Sequence, residues 1–168
     1  MKLRWKLSGI AACLILMLGM IAVTAMGKRN GNVVSLSSFD AEANAVLARA
    51  LRISATNELR YVHASMVGGK DWTLYVLMEV PKTNWNDVLK TASFEMRKGR
   101  ERDVVFEVPA LSWWKIEKKA IDSVIVTSGF TAWVVLNDVS KYRIFVYTDG
   151  GSEGFAKDVW DLFKKQQH

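Results

Sequence analysis

Residues 7–26 form a run of twenty residues without a charged side chain, directly behind Lys2, Arg4 and Lys6. At a rise of about 1.5 Å per residue, a helix of this length crosses the roughly 30 Å hydrocarbon core of a bilayer. The pattern therefore predicts a transmembrane signal anchor that runs from Leu7 to Met26. We expect membrane lipid to be one partner of the chain, through this segment.

The charges on either side of this segment predict its orientation. Three basic side chains precede it and two, Lys28 and Arg29, follow it. The excess on the N-terminal side places residues 1–6 in the cytoplasm and the rest of the chain beyond the inner cell membrane. Cleavage near Ala25 is the alternative, although a cleavable hydrophobic region is usually only about 7 to 15 residues long. The cleaved chain would be secreted.

The sequence after the hydrophobic segment predicts a short linker and one domain. Residues 27–37 are polar and contain two glycines, and residues 38–168 have the length of a common single domain. The only cysteine is Cys13, inside the hydrophobic segment. The domain can therefore have no internal disulfide, and a hydrophobic core must stabilise it.

Hydrophobic periodicity predicts three helices in the domain. The first begins at Ser37 or Ser38 and ends near Arg52, the second carries Trp85 and Val88 on one face as far as Met96, and the third is C-terminal. The apolar positions of the third helix are Phe155, Val159, Leu162 and Phe163.

Alternating apolar and polar residues predict the strands. Two strands at 57–66 and 72–80 flank a glycine turn and form a hairpin, and three more, at 121–127, 130–136 and 142–147, form a meander. Residues 97–119 are expected to be a loop with one short strand. The predicted fold class is α+β, with a mostly antiparallel sheet of about five strands packed by two or three helices.

The net charge of +6 does not indicate a nucleic-acid partner. Without the three basic residues of the N-terminal flank, the chain has 20 basic and 17 acidic residues, and basic and acidic residues are interleaved along it. Such runs are typical of solvated surfaces, so we expect no nucleic acid to be bound.

Most catalytic and metal sites are excluded by composition. Histidine occurs only at His63 and His168, so the domain has neither a histidine triad nor a multi-histidine metal site. We expect no cofactor. The glycine and acid cluster at 148–154 fits a strand-to-helix turn. Seventeen acids leave one enzymatic alternative, a carboxylate-dependent hydrolase acting on a cell-envelope substrate.

The adjacent tryptophans Trp113 and Trp114 lie in the predicted long loop and precede a basic stretch. Neighbouring residues of an extended chain point to opposite sides, so one indole is expected to be buried and the other exposed. We predict a binding surface formed by Trp113, Trp114, Lys115, Lys118 and Lys119. The favoured function is a membrane-anchored, extracytoplasmic, noncatalytic domain that binds an envelope protein or glycan.

Overall fold

The structure is a computed structural model of the chain, and the domain begins at its first described strand, at Asn32. The described residues are 32–54, 59–68, 72–92, 95–127, 131–149 and 157–167.

Seven antiparallel strands form one sheet in the order β1-β2-β3-β7-β6-β5-β4. The last strand of the meander pairs with the hairpin, residue by residue from Thr73 opposite Asp149 to Pro81 opposite Lys141. This long-range ladder joins the N-terminal and C-terminal halves of the domain. The strands are β1 (Asn32–Ser35), β2 (Arg60–Gly68), β3 (Trp72–Pro81), β4 (Met96–Lys98), β5 (Ile121–Thr127), β6 (Thr131–Asn137) and β7 (Lys141–Asp149).

Three helices contribute to the core on one face of the sheet: α1 (Ala41–Ala50), α2 (Trp85–Lys90) and α3 (Lys157–Lys165). Helix α1 begins after Asp40, whose carboxylate accepts a hydrogen bond of 2.8 Å from the Ala43 amide. This contact satisfies one of the unpaired amides of the first turn. The fully buried side chains of this core include Leu47, Met66, Leu74, Val76, Met78, Ile144, Val146 and Phe163.

Residues 99–120, which we call the crossing segment, contribute to a second core. The strand residues in this second core alternate along the strands with the strand residues of the first core. Leu77, Val134 and Phe145 are buried in the second core together with Leu111 and Ile116 of the crossing segment. The segment is mostly irregular, with 3-10 turns at Glu101–Asp103 and Lys118–Ala120. The central strands therefore carry apolar residues on both faces, as expected for a sheet covered on both sides.

The predicted count of about five strands was wrong. Strand β1 lies inside residues 27–37, where a linker was expected, and β4 begins at Met96, which was assigned to a helix. Both are edge strands of four residues or fewer with mostly exposed side chains. Strands this short and exposed show little hydrophobic alternation, so no sequence pattern predicts them. Their backbone pairing with β2 and β5 holds them in the sheet.

The transmembrane helix and signal anchor of the predicted fold class are also not supported. Within the described residues, no helix is long and apolar enough to cross a membrane. The longest, α1, has ten residues, about half of what a bilayer requires. The segment from Leu7 to Met26, from which the membrane helix was predicted, lies outside the described residues.

The predicted hairpin, meander and C-terminal helix are confirmed. Helix α3 buries Val159, Leu162 and Phe163, as its periodicity indicated, and the fourth predicted position, Phe155, lies outside the described residues. In the described strands, strict alternation fails at two places, a register shift in β2 between Tyr61 and His63 and another in β5 between Ile121 and Ser123. Beyond the shift in β2, His63 pairs with Leu77 and so lies on the face of the crossing segment.

Candidate functional site

The adjacent tryptophans of the crossing segment have different environments. Trp114 is 1% exposed, and its indole N–H donates a hydrogen bond of 2.8 Å to the Val105 carbonyl. Its ring meets Tyr75 and Phe145 edge-on, with centroid distances of 4.8 and 5.2 Å. Trp114 is therefore the centre of the second core and cannot serve as a surface contact.

Trp113 is only partly buried and lies against β2. Its indole stacks on the imidazole of His63, with centroids 4.9 Å apart and 18° between the ring planes. His63 itself is exposed. A ring held flat against another ring loses little further freedom on binding, so Trp113 is preorganised as a contact surface.

A continuous set of rings extends from this stack across the sheet. Trp113 meets Trp114 at 5.6 Å, and Trp114 meets Tyr75 on β3 and Tyr147 on β7. The Tyr147 hydroxyl donates a hydrogen bond of 2.5 Å to the Asp103 carbonyl and so ties the crossing segment to the sheet. The orientation of Trp113 is thus supported by a packed aromatic layer.

Polar side chains share the sheet face beside these rings. The Thr73 hydroxyl donates a hydrogen bond of 2.5 Å to Asp149, its register partner. One step along the strands, the Ser35 and Ser65 hydroxyls are 2.7 Å apart, and Ser65 is the register partner of Tyr75. We call the exposed and partly exposed members of this area the aromatic shelf: Ser35, Thr73, Tyr75, Trp113 and Asp149.

Two carboxylates act on the tyrosines at the shelf although the whole chain is basic. Burial, and then the negative charge of Asp149, raise the pKa of Tyr75, while its hydrogen bond with Thr73 lowers it in part. Burial followed by Asp103, Asp149 and Tyr75 raises the pKa of Tyr147. Neither carboxylate forms an ion pair with a described residue. The negative charge of Asp149 at the shelf disfavours the binding of an anion there.

The structure places Lys118 and Lys119 away from Trp113, whereas Lys115 stays next to it. Lys118 pairs with Glu101 and lies over the Phe106 ring, 4.9 Å from its centroid, just before β5. Four strand spacings of about 4.8 Å, or roughly 19 Å, separate β2 from β5. Lys115 and Lys119 are exposed. The predicted surface is therefore divided between the two halves of the sheet.

Several shelf residues were missed by the sequence reasoning. Tyr75 lies on a predicted strand, and Asp149 lies two residues beyond the predicted end of another. Alternation places Tyr75 and Leu74 on different faces of the sheet. Their proximity depends on the pairing of β3 with β7, which no local pattern reveals. His63 was regarded as an ordinary strand residue, and its stacking on Trp113 is a tertiary contact.

The other residues considered as candidates do not form a second functional site within the described residues. The part of the chain that the structure describes contains no group of three or more His, Cys, Asp or Glu suited to a metal ion. In the glycine and acid cluster, residues 150–154 lie outside the described ranges. Of the other tryptophans, Trp85 and Trp133 are buried, and Trp72 and Trp160 form an edge-on pair with a centroid distance of 4.9 Å.

In comparisons with known proteins, no protein-family model, no curated protein and no solved structure matches the chain. The geometry of the shelf is therefore the basis of the proposed function.

Proposed function

We propose that this protein is an exported, noncatalytic binding domain that recognises an envelope protein or glycan at the aromatic shelf. The observation that carries the proposal is the stack of Trp113 on His63 at the border of the crossing segment. It presents a partly exposed indole in a fixed orientation on the sheet face that also carries the Thr73 hydroxyl and the Asp149 carboxylate, further along the strands. Tryptophan at such a position is a frequent binding anchor because it offers a large contact area.

Export is the second part of the proposal. It rests on the uncharged run at 7–26 and the basic residues before it. Fractionation of cells that express the full chain, with mass spectrometry of its N-terminus, tests it. Domain found outside the cytoplasm supports export, and the N-terminal mass shows whether residues up to Ala25 are removed. Domain found only in the cytoplasm contradicts it.

Binding is tested with the full chain and isolated envelope fractions of the host. The Trp113→Ala variant should lose most cosedimentation with the fraction that retains the wild-type protein. Trp160→Ala is the matched control, because Trp160 is also a partly exposed tryptophan but lies on helix α3. The Lys115→Ala variant shows whether the basic neighbour of Trp113 also contributes to binding. Equal retention of all four proteins would contradict a binding role for Trp113.

A carboxylate-dependent hydrolase is the alternative function. The observation that favours it is that Asp103 and Asp149 both act on the Tyr147 hydroxyl. Each carboxylate already accepts a hydrogen bond, Asp103 from the Arg100 amide at 2.8 Å and Asp149 from Thr73. Asp149 is also exposed, whereas the general acid of such a hydrolase usually lies in apolar surroundings. Release of soluble sugar from envelope polysaccharide, lost in Asp149→Asn, would favour the hydrolase over the binding domain.

A further inference from the structure

We infer that the ligand of the aromatic shelf is an uncharged glycan chain, an inference that rests on the proposed binding function. Three features of the shelf support this ligand: the flat aromatic contact, the polar groups on the same sheet face, and the local charge. Together they select among the ligands that an exported domain meets.

The flat contact comes from Trp113. Its ring is stacked on His63 at 18° and is braced from the side by Trp114 at 67°. A pyranose ring has a flat face of C–H groups, which packs on an indole, while its hydroxyls point outward around the ring. An indole whose orientation is already held by two neighbouring rings suits such a ligand, because little side-chain entropy is lost on binding.

Polar groups further along the same sheet face can pair with the outward hydroxyls of a chain of several sugars. Thr73, Tyr75 and Ser35 can each donate and accept hydrogen bonds, and the Asp149 carboxylate accepts them. Charge-assisted hydrogen bonds to a carboxylate are stronger than those between neutral groups. The shelf therefore offers a partner for each part of a sugar: the indole for its apolar face, and the polar side chains for its hydroxyls.

The sheet itself argues against an extended peptide on this surface. Strands β2, β3 and β7 are each paired on both sides, so their backbone groups in the ladders are already used. A peptide that binds as an added strand needs a free sheet edge, and of the shelf residues only Ser35 lies on an edge strand, the four-residue β1.

Local charge restricts the class of glycan. Asp149 and Asp103 form no ion pair with the described residues, and both raise the pKa of Tyr147. An acidic polysaccharide would bring its own carboxylates or phosphates against this charge. An uncharged chain meets no such repulsion.

Calorimetric titration of the full chain with oligosaccharides tests the inference. The probes are tetramers of β-1,4-linked glucose, of β-1,4-linked N-acetylglucosamine and of galacturonate. We expect at least one uncharged tetramer to bind and the acidic tetramer not to bind. Trp113→Ala should weaken binding by about tenfold or more, and Asp149→Ala should also weaken it, whereas Trp160→Ala should leave it unchanged. The thermal melting temperature of each variant shows whether it is folded.

The outcomes separate the two proposals. If the uncharged tetramers fail to bind while envelope retention still depends on Trp113, the glycan inference is overturned and the binding function stands. Equal binding of the galacturonate tetramer would overturn the assignment of an uncharged ligand. Loss of both the titration signal and the dependence on Trp113 would reject both proposals.

Discussion

The indole of Trp113 and the imidazole of His63 lie nearly parallel, 4.9 Å apart, although fifty residues separate them in the chain. The next residue, Trp114, is in contrast 1% exposed and packs among Tyr75, Phe145 and Tyr147. Adjacent identical residues thus have separate roles, one at the surface and one in the core.

Trp114→Ala should therefore be far more destabilising than Trp113→Ala. Removal of a buried tryptophan leaves a cavity and costs about 3 to 5 kcal/mol of unfolding free energy. Loss of the partly exposed indole of Trp113 should cost about 1 kcal/mol. Urea denaturation measures both changes. Equal costs would mean that Trp113 is a structural brace, and would remove the main support for the shelf as a binding surface.

Tyr147→Phe should loosen the crossing segment from the sheet. The change removes the hydrogen bond of 2.5 Å to the Asp103 carbonyl, a loss worth about 0.5 to 1.5 kcal/mol. Trypsin should then cleave faster at Arg100 and Arg102, which limited digestion with mass spectrometry detects. Tyr142→Phe is the control, because Tyr142 packs in the core that contains the helices. Faster cleavage in both variants would show a general effect rather than loss of this tether.

Alkaline pH should destabilise the domain. Burial raises the pKa of Tyr61, and burial together with nearby carboxylates raises that of Tyr75 and Tyr147. In the unfolded chain these phenols titrate near pH 10, so above that pH the unfolded state releases protons that the folded state keeps. The contribution of these groups is complete below about pH 10 and is lost as the pH rises toward the folded values. Urea denaturation between about pH 8 and pH 11 should show the decline.

The variant Tyr61→Phe provides the matched control for this pH dependence. The Tyr61 hydroxyl is buried and has no hydrogen-bond partner among the described residues, so its removal should leave stability at neutral pH unchanged or raise it by about 1 kcal/mol. The alkaline decline should also become less steep. An unchanged slope would contradict the assignment of part of the decline to Tyr61.

Gly99→Ala should destabilise the junction between β4 and the crossing segment. A Cβ atom at this position would lie 2.6 Å from Val124 Cγ1 and 2.7 Å from Val126 Cγ2. The Gly99 amide also donates a hydrogen bond of 2.8 Å to the Val124 carbonyl, which holds the two strands together. Overpacking of this kind costs about 1 to 3 kcal/mol.

The double variant Gly99→Ala with Val124→Ala tests the cause of this effect. If steric conflict is responsible, the cost of Gly99→Ala should be smaller in the background of Val124→Ala, and a double-mutant cycle measures the difference. Purely additive costs would point instead to a change in the backbone at position 99.

Local sequence patterns predicted the elements whose packing is regular. The positions Val159, Leu162 and Phe163 follow the helical period and are buried in α3. The meander was found because its strands are rich in β-branched and aromatic residues. The predicted second helix extended too far, to Met96, whereas α2 ends at Lys90 and Met96 pairs with Thr127 in the sheet. Pairing with a distant strand overrode the local helical pattern.

For the candidate site, the sequence predicted only the aromatic member. The position of Trp113 and Trp114 in a long loop, one facing in and one facing out, followed from chain geometry. The basic members Lys118 and Lys119 were grouped with them because they are near in sequence, but the crossing segment spans the sheet from β2 to β5. Proximity along the chain was therefore a poor guide to proximity in space.

The sequence by itself determined the hydrophobic periods of the hairpin, the meander and α3, because these depend on local backbone geometry. It also determined that no disulfide supports the domain, since Cys13 is the only cysteine. Only the tertiary structure decided which tryptophan is buried, that β7 pairs with β3, and that Tyr75 and Trp113 pack against the same core. These contacts join residues that are distant in the chain, and their stability depends on the packing of the whole sheet.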